Sequence, residues 1–395
     1  MSDMRHGLMA LGLAATVAGP AGAYDGLVEK QSFTYPGAFT TVGGATIAQV
    51  KVGYETLGKL DAAGSNAILI PHFFSGTSHF AGRYKADDKA PGYWDALVGP
   101  GKPLDTDKYF LISVDSLCNI NVKDGIAVTT GPASIDPGTG KPYGSHFPEV
   151  QIRDFVTVQK ALLDKLGVKK LHAVMGASMG SMQSYEWAAS YPSMVERLIA
   201  VIPSAQADAY TIERVRHWGD IVKLDPNWKH GDYYGGPEPL DGLTMAFKVL
   251  SLDTLAPEWG AAQFGRKWAD PAKDPAKSPD NLYAVETGAD AAALSRAKAA
   301  DAGNFVCLVR ANELFTVGGK DDLAEGLKTV KAKTLLLPSH NDHLLFADAT
   351  RHVRDLLDAQ GTKVEYHELD GPLGHVNGVV GMGQAAAIVQ KFLAE

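Results

Sequence analysis

The sequence predicts an α/β fold: a mostly parallel sheet with helices on both faces, interrupted by a helical insertion. Short β-branched runs alternate with longer amphipathic ones, which is how a sheet covered on both sides reads. One interior stretch, residues 204–300, loses all strand signals and gathers four of the six tryptophans, Trp218, Trp228, Trp259 and Trp268. With 395 residues, 45% apolar and 21% charged, the chain can bury a core without metals or disulfides.

Residues 67–71 (AILIP), 109–115 (YFLISVD), 171–175 (LHAVM), 198–202 (LIAVI), 334–337 (TLLL) and 364–369 (VEYHEL) are the strand candidates. Residues 150–166 place Ile152, Phe155, Val156, Gln159, Leu162, Leu163 and Leu166 at helical spacing, and Gly167 supplies the left-handed stop. A second helix runs from Ser178 toward Tyr191 and stops at Pro192. Within the insertion, residues 232–239 (DYYGGPEP) and 270–277 (DPAKDPAK) read as loops, and most of the aromatics are expected to fill its own small core.

The N-terminus reads as an export signal. Arg5 and His6 precede the apolar run 8–17 (LMALGLAATV), and Ala21-Gly22-Ala23 supplies small residues for cleavage. The run is shorter than the roughly 20 residues a membrane helix needs. The expected division is a signal at 1–23, a core at 24–203 and 301–395, and a helical cap at 204–300. The mature chain is expected to be periplasmic or secreted, with no membrane attachment. A net charge of −8 and the lack of any basic run argue against nucleic acid as a partner. Cys118 and Cys307 lack the paired spacing of a zinc site or redox motif and read as two buried thiols, with a bridge between them as the alternative. Gly140-Lys141 resembles a phosphate-loop ending, but Ile135 stands where that loop needs glycine. His340 and His343 have no third metal ligand at helical spacing. No metal or cofactor is implied.

Gly176-Ala177-Ser178-Met179-Gly180 fits G-x-S-x-G between a strand and a helix, the setting of a nucleophile elbow in an α/β-hydrolase fold. That turn needs small flanking residues and presents the serine at a helix N-terminus, where developing negative charge is favoured. A serine hydroxyl needs a base, and the base needs an orienting acid. In the chain order Ser, acid, His, the best acid is Asp342, in the loop after TLLL, and the best base is His375, after the last strand. Asp348 and Asp370 are rival acids; His343, His352 and His367 are rival bases. The oxyanion donors are expected to be the N–H of Met179 and that of Phe74, with Phe73 close behind, in the loop after AILIP.

These residues resemble the homoserine O-acyltransferase group of α/β-hydrolase-fold enzymes over nearly all of the mature chain. The resemblance is carried by Gly53-Tyr54-Glu55-Thr56-Leu57-Gly58, His72 to His79 (HFFSGTSH), Tyr93-Trp94-Asp95 and Gly99-Pro100-Gly101-Lys102. It continues with residues 105–110 (DTDKYF), 130–144, 176–188 (GASMGSMQSYEWA), Asp342 and Gly374-His375. It implies the triad Ser178, Asp342 and His375, a ping-pong mechanism through an acyl-serine, and a homodimer formed through the cap. Two departures stand out. Trp218 aligns where the family carries an arginine clamp for a substrate carboxylate, with Arg214 or Arg216 the nearest replacements, and Val376 follows the histidine where an acidic residue meets a substrate amine. Ala177 and Ser181 replace glycines in the elbow. The resemblance with these departures implies a hydrolase of small-molecule carboxylic esters, with Phe73, Trp218 and Val376 lining the pocket. The alternative is an acyltransferase moving an acyl group from acyl-CoA to an alcohol.

Overall fold

The structure, a computed structural model, describes residues 24–395; the proposed signal at 1–23 lies outside them. In chain order the elements are β1 (Gln31–Thr34), β2 (Phe39–Thr40), β3 (Thr46–Ile47), β4 (Lys51–Leu57), β5 (Ala67–Leu69), β6 (Phe110–Val114), α1 (Ile152–Leu166), β7 (Leu171–Ala177), α2 (Met179–Ser190) and β8 (Arg197–Val201). Then come α3 (Ala209–Lys223), α4 (Leu240–Thr254), α5 (Pro257–Gln263), α6 (Ala284–Ala299), α7 (Ala302–Glu313), α8 (Leu323–Leu327), β9 (Lys333–Leu337), α9 (Ala347–Ala359), β10 (Val364–Tyr366), α10 (Asn377–Val380) and α11 (Ala386–Ala394).

Eight strands form one sheet in the order β1-β4-β6-β5-β7-β8-β9-β10, and β2 pairs separately with β3. β4 runs antiparallel to β1 and β6, while every pairing from β6 onward is parallel. Successive side chains along a strand face opposite ways, and both faces are covered. On β8, Leu198 and Ala200 pack toward α1 and α2, whereas Ile199 and Val201 join Trp94, Val389 and Phe392 on the other side. This two-sided burial explains why the central strands read as continuous apolar runs.

The six strand candidates are all present, and α1 stops where its spacing predicts, at Gly167 with φ 87°. β1 and β4 go unread in the sequence. β4 carries Gly53 and, at its centre, the fully buried Glu55, which pairs with Lys30 at 3.0 Å and accepts a hydrogen bond from Tyr84 at 2.7 Å. A charge inside a strand erases the apolar signal that marks it.

Helices α3 to α8 all lie between β8 and β9. Phe247 and Phe305 of these helices stack edge to face at 5.3 Å, and Phe305 meets Phe74 of the core at 5.2 Å, so the insertion's apolar interior is continuous with the core. A second tie corrects the sequence reading. Cys118 and Cys307 are not two thiols but a disulfide, joining the segment after β6 to α7 across 189 residues. Sequence spacing says nothing of two residues that only the fold brings together. Asn304, one turn before Cys307, reinforces the tie by donating to the Asn119 carbonyl at 2.7 Å.

A loop of that length closed by a covalent bond restricts the unfolded chain, so Cys307→Ser is expected to cost up to about 5 kcal/mol. The measurement is thermal unfolding with and without reductant. An unchanged Tm on reduction contradicts a stabilising role.

Candidate active site

The site is built on the turn from β7 into α2. Ser178 sits there with φ 56° and ψ −121°, a conformation disfavoured for any side-chain-bearing residue and costing of order 1–3 kcal/mol. The flanking glycines are required by contact rather than by flexibility. A Cβ on Gly176 would lie 2.3 Å from the Gly180 carbonyl oxygen, and one on Gly180 would lie 2.2 Å from that of Pro71. Ser181 fills its position without penalty, because its hydroxyl donates to the Ser178 carbonyl at 2.6 Å and accepts from Ser204 N–H at 3.1 Å.

Three chain segments then converge. Asp342 lies in the loop after β9, buried, with one carboxylate oxygen accepting from Leu344 and Leu345 N–H at 2.8 and 2.9 Å. Those two bonds fix its rotamer and leave the other oxygen for His375, whose Nδ1 lies 2.6 Å away. With the proton on Nδ1, His375 Nε2 accepts from the Ser178 hydroxyl at 2.8 Å. The rivals are placed elsewhere. Asp348 and Arg351 pair on the exposed face of α9, Asp370 is almost fully exposed, and His343, His352 and His367 all face solvent. His340 is half-exposed beside Asp370, apart from His343.

Met179 N–H, at the start of α2, has no protein acceptor among the described residues, and neither has Phe74 N–H nor Phe73 N–H. The loop that carries the two phenylalanines is held by residues that the sequence reading missed. His72 is fully buried; Ser116 N–H donates to its Nε2 at 2.9 Å, so Nδ1 carries the proton and donates to the Phe73 carbonyl at 2.7 Å. Asn119 and Asn121 donate to the Gly76 and Ser75 carbonyls at 2.9 and 3.1 Å. Burial holds the His72 pKa below its ordinary value, so the ring is neutral. The available signal was three polar residues flanking predicted strand ends.

Ser178 and His375 open into a cavity of about 320 Å³. Phe73, Phe74, Trp218 and Val376 line it, with α3, α4, α6 and α7 supplying the far wall. Among the described residues no carboxylate lines it, and the guanidinium that does is that of Arg296 on α6. Arg214 and Arg216 do not line it. Arg214 is neutralised by Asp253 at 2.8 Å, which also accepts from the Trp218 indole at 2.7 Å, and Arg216 pairs with Asp220 at 3.0 Å.

A family model described as the alpha/beta hydrolase fold matches residues 128–375. A homoserine O-acetyltransferase of Moorella thermoacetica is 35% identical over 372 residues, covering 94% of this chain and 97% of that one. The chain belongs to the homoserine O-acetyltransferase-like family of the α/β-hydrolase fold. Among solved structures, esterase E22 is 44% identical with a TM-score of 0.89, covering 93% of this chain and all of that one. A homoserine O-acetyltransferase from Bacillus anthracis is 35% identical with the same TM-score of 0.89, covering 93% and 98%. The family thus includes relatives named for transfer and a relative named for hydrolysis, and this chain is an enzyme fold of that kind.

The neutral state of His72 sets a pH dependence. The unfolded chain protonates this residue near its ordinary value of 6.5 while the folded one resists, so its stabilising contribution is complete above that pH and is lost below it. Tm is expected to fall between about pH 7 and about pH 5, and to fall less steeply in His72→Gln. Equal slopes in the two proteins contradict the assignment.

Proposed function

We propose that this protein cleaves carboxylic esters through an acyl-enzyme on Ser178. The observation that supports this reading is the continuous hydrogen-bonded line from Asp342 through His375 to the Ser178 hydroxyl, ending in a cavity. Ser178 Oγ attacks the ester carbonyl as His375 Nε2 takes its proton, and Asp342 stabilises the imidazolium. The oxygen of the tetrahedral intermediate accepts from Met179 and Phe74 N–H. Collapse expels the alcohol, which receives the proton from His375. Water then attacks the acyl-serine with His375 again as base, releasing the acid and restoring the serine.

Transfer of the acyl group to an alcohol is the second reading, and the names of the curated relatives favour it over hydrolysis. The cavity favours water. Among the described residues it has no acidic side chain to meet the ammonium of homoserine, and a solved relative at 44% identity is named an esterase. The two readings share the acyl-serine and differ in the donor that forms it, a thioester or an ester, and in what attacks it.

We also propose export, with residues 1–23 as its signal. The Cys118–Cys307 bond supports this, because such bonds persist in oxidising compartments. N-terminal sequencing of the protein recovered from its host is expected to start at Tyr24; retention of Met1 contradicts it. Exposed Met245, Leu252 and Leu294 on α4 and α6 support a homodimer through the insertion, and a monomer by light scattering overturns it.

With 4-nitrophenyl acetate, turnover is expected to be independent of added homoserine. Acceleration by homoserine with O-acetylhomoserine as product establishes the transferase instead. Ser178→Ala is expected to lose at least about a thousandfold in kcat, and Asp342→Asn about 10³- to 10⁴-fold, with the fold intact by circular dichroism. Near-normal turnover in either variant refutes the assigned roles.

A further inference from the structure

The cation in the cavity has no anion beside it among the described residues. Arg296 lines the same pocket as Ser178 and His375, and no carboxylate among the described residues lies within ion-pairing distance of its guanidinium. Its polar contacts are two hydroxyls: Nη1 donates to Ser251 Oγ at 3.1 Å and Nη2 to Ser75 Oγ at 3.3 Å. Its plane rests on the Phe247 ring at 4.4 Å. Ser251 is further committed, donating its own proton to the Phe247 carbonyl at 2.7 Å.

A desolvated cation without a counter-ion is costly, and the nearby Arg214 and Arg216 of α3, which do not line the cavity, are each paired with a carboxylate while Arg296 is not. A guanidinium offers five N–H groups in a planar fork that matches a carboxylate, and two serine hydroxyls do not exhaust it. The ring beneath and the two serines hold the fork in place, so little side-chain entropy is left to lose when an anion docks.

We propose that Arg296 binds a carboxylate on the substrate, making esters that carry one the preferred class. The proposal rests on the reading of Ser178 as the nucleophile. The carboxylate can belong to the acyl group or to the alcohol, and the chemistry at Arg296 is the same.

Two matched pairs separate the sources. Monoethyl succinate against ethyl butyrate places the charge on the acyl side, and 4-acetoxybutyrate against butyl acetate places it on the alcohol side, all followed by titrating released acid. The wild-type enzyme is expected to favour the anionic member of at least one pair by about tenfold or more in kcat/KM, through KM. Arg296→Gln is expected to bring that ratio to about one, and Arg296→Lys to restore part of it. No preference in either pair, or a preference that survives in Arg296→Gln, overturns the proposal.

Calorimetric titration of the wild-type protein with butyrate and with butyramide needs neither turnover nor a variant. Binding of butyrate alone supports the carboxylate site; equal binding, or none, overturns it. Absence of turnover on all four esters, together with failure of a fluorophosphonate to label Ser178, sinks the nucleophile reading and leaves the titration to decide on Arg296.

Discussion

The structure depends on one close approach, that of α2 to the end of β5 at Gly180. There the helix backbone sits so near the Pro71 carbonyl that no side chain fits between them. This contact sets the direction in which α2 leaves the sheet and forces the chain through the strained turn at Ser178. It also places the loop that begins at His72 against the first turn of the helix; Gln183 on α2 donates to the His72 carbonyl at 3.2 Å. A single backbone contact thereby brings Ser178 close to the free N–H groups of Met179 and Phe74. The strain at Ser178 is tolerated because β7 is central, flanked by β5 and β8, and cannot relax without breaking the sheet.

Much of this was legible in the sequence because local rules generate it. G-x-S-x-G between a strand and a helix describes the elbow, and Gly167 ends α1 as its left-handed conformation requires. Chain order and their positions after strands single out Asp342 and His375, and the fold brings both to Ser178. What escaped notice depends on distance in the fold. β4 was hidden by Glu55, whose charge is compensated by Lys30, 25 residues earlier in the chain. The disulfide links residues that share no local pattern. Arg296 looked like any charged residue on a polar helix, and only the fold shows that its guanidinium turns inward over Phe247.

The electrostatics of the site follow from this arrangement. Asp342 is saturated by two N–H groups and His375, so its charge serves to orient the His375 ring. His72 is neutral, so it holds the loop of Phe73 and Phe74 without adding a positive charge beside Ser178. Glu55 and Asp115 are compensated by Lys30. Arg296 is then the fixed cation the cavity presents to a ligand, in a medium where such a charge acts at greater strength than in water.

The bond between Cys118 and Cys307 constrains traffic through the site. With α7 fastened to the segment after β6, the roof above Ser178 has one immovable beam, and a swinging-door opening of the whole insertion is unavailable. Entry and exit must instead be managed by α3, α4 and α6 shifting about that fixed helix, or by side-chain rotations at the mouth. Such movements are smaller and faster than domain hinging. The cavity of about 320 Å³ thus has one wall tied covalently to the core, and its dimensions on that side are set by the sheet rather than by the insertion.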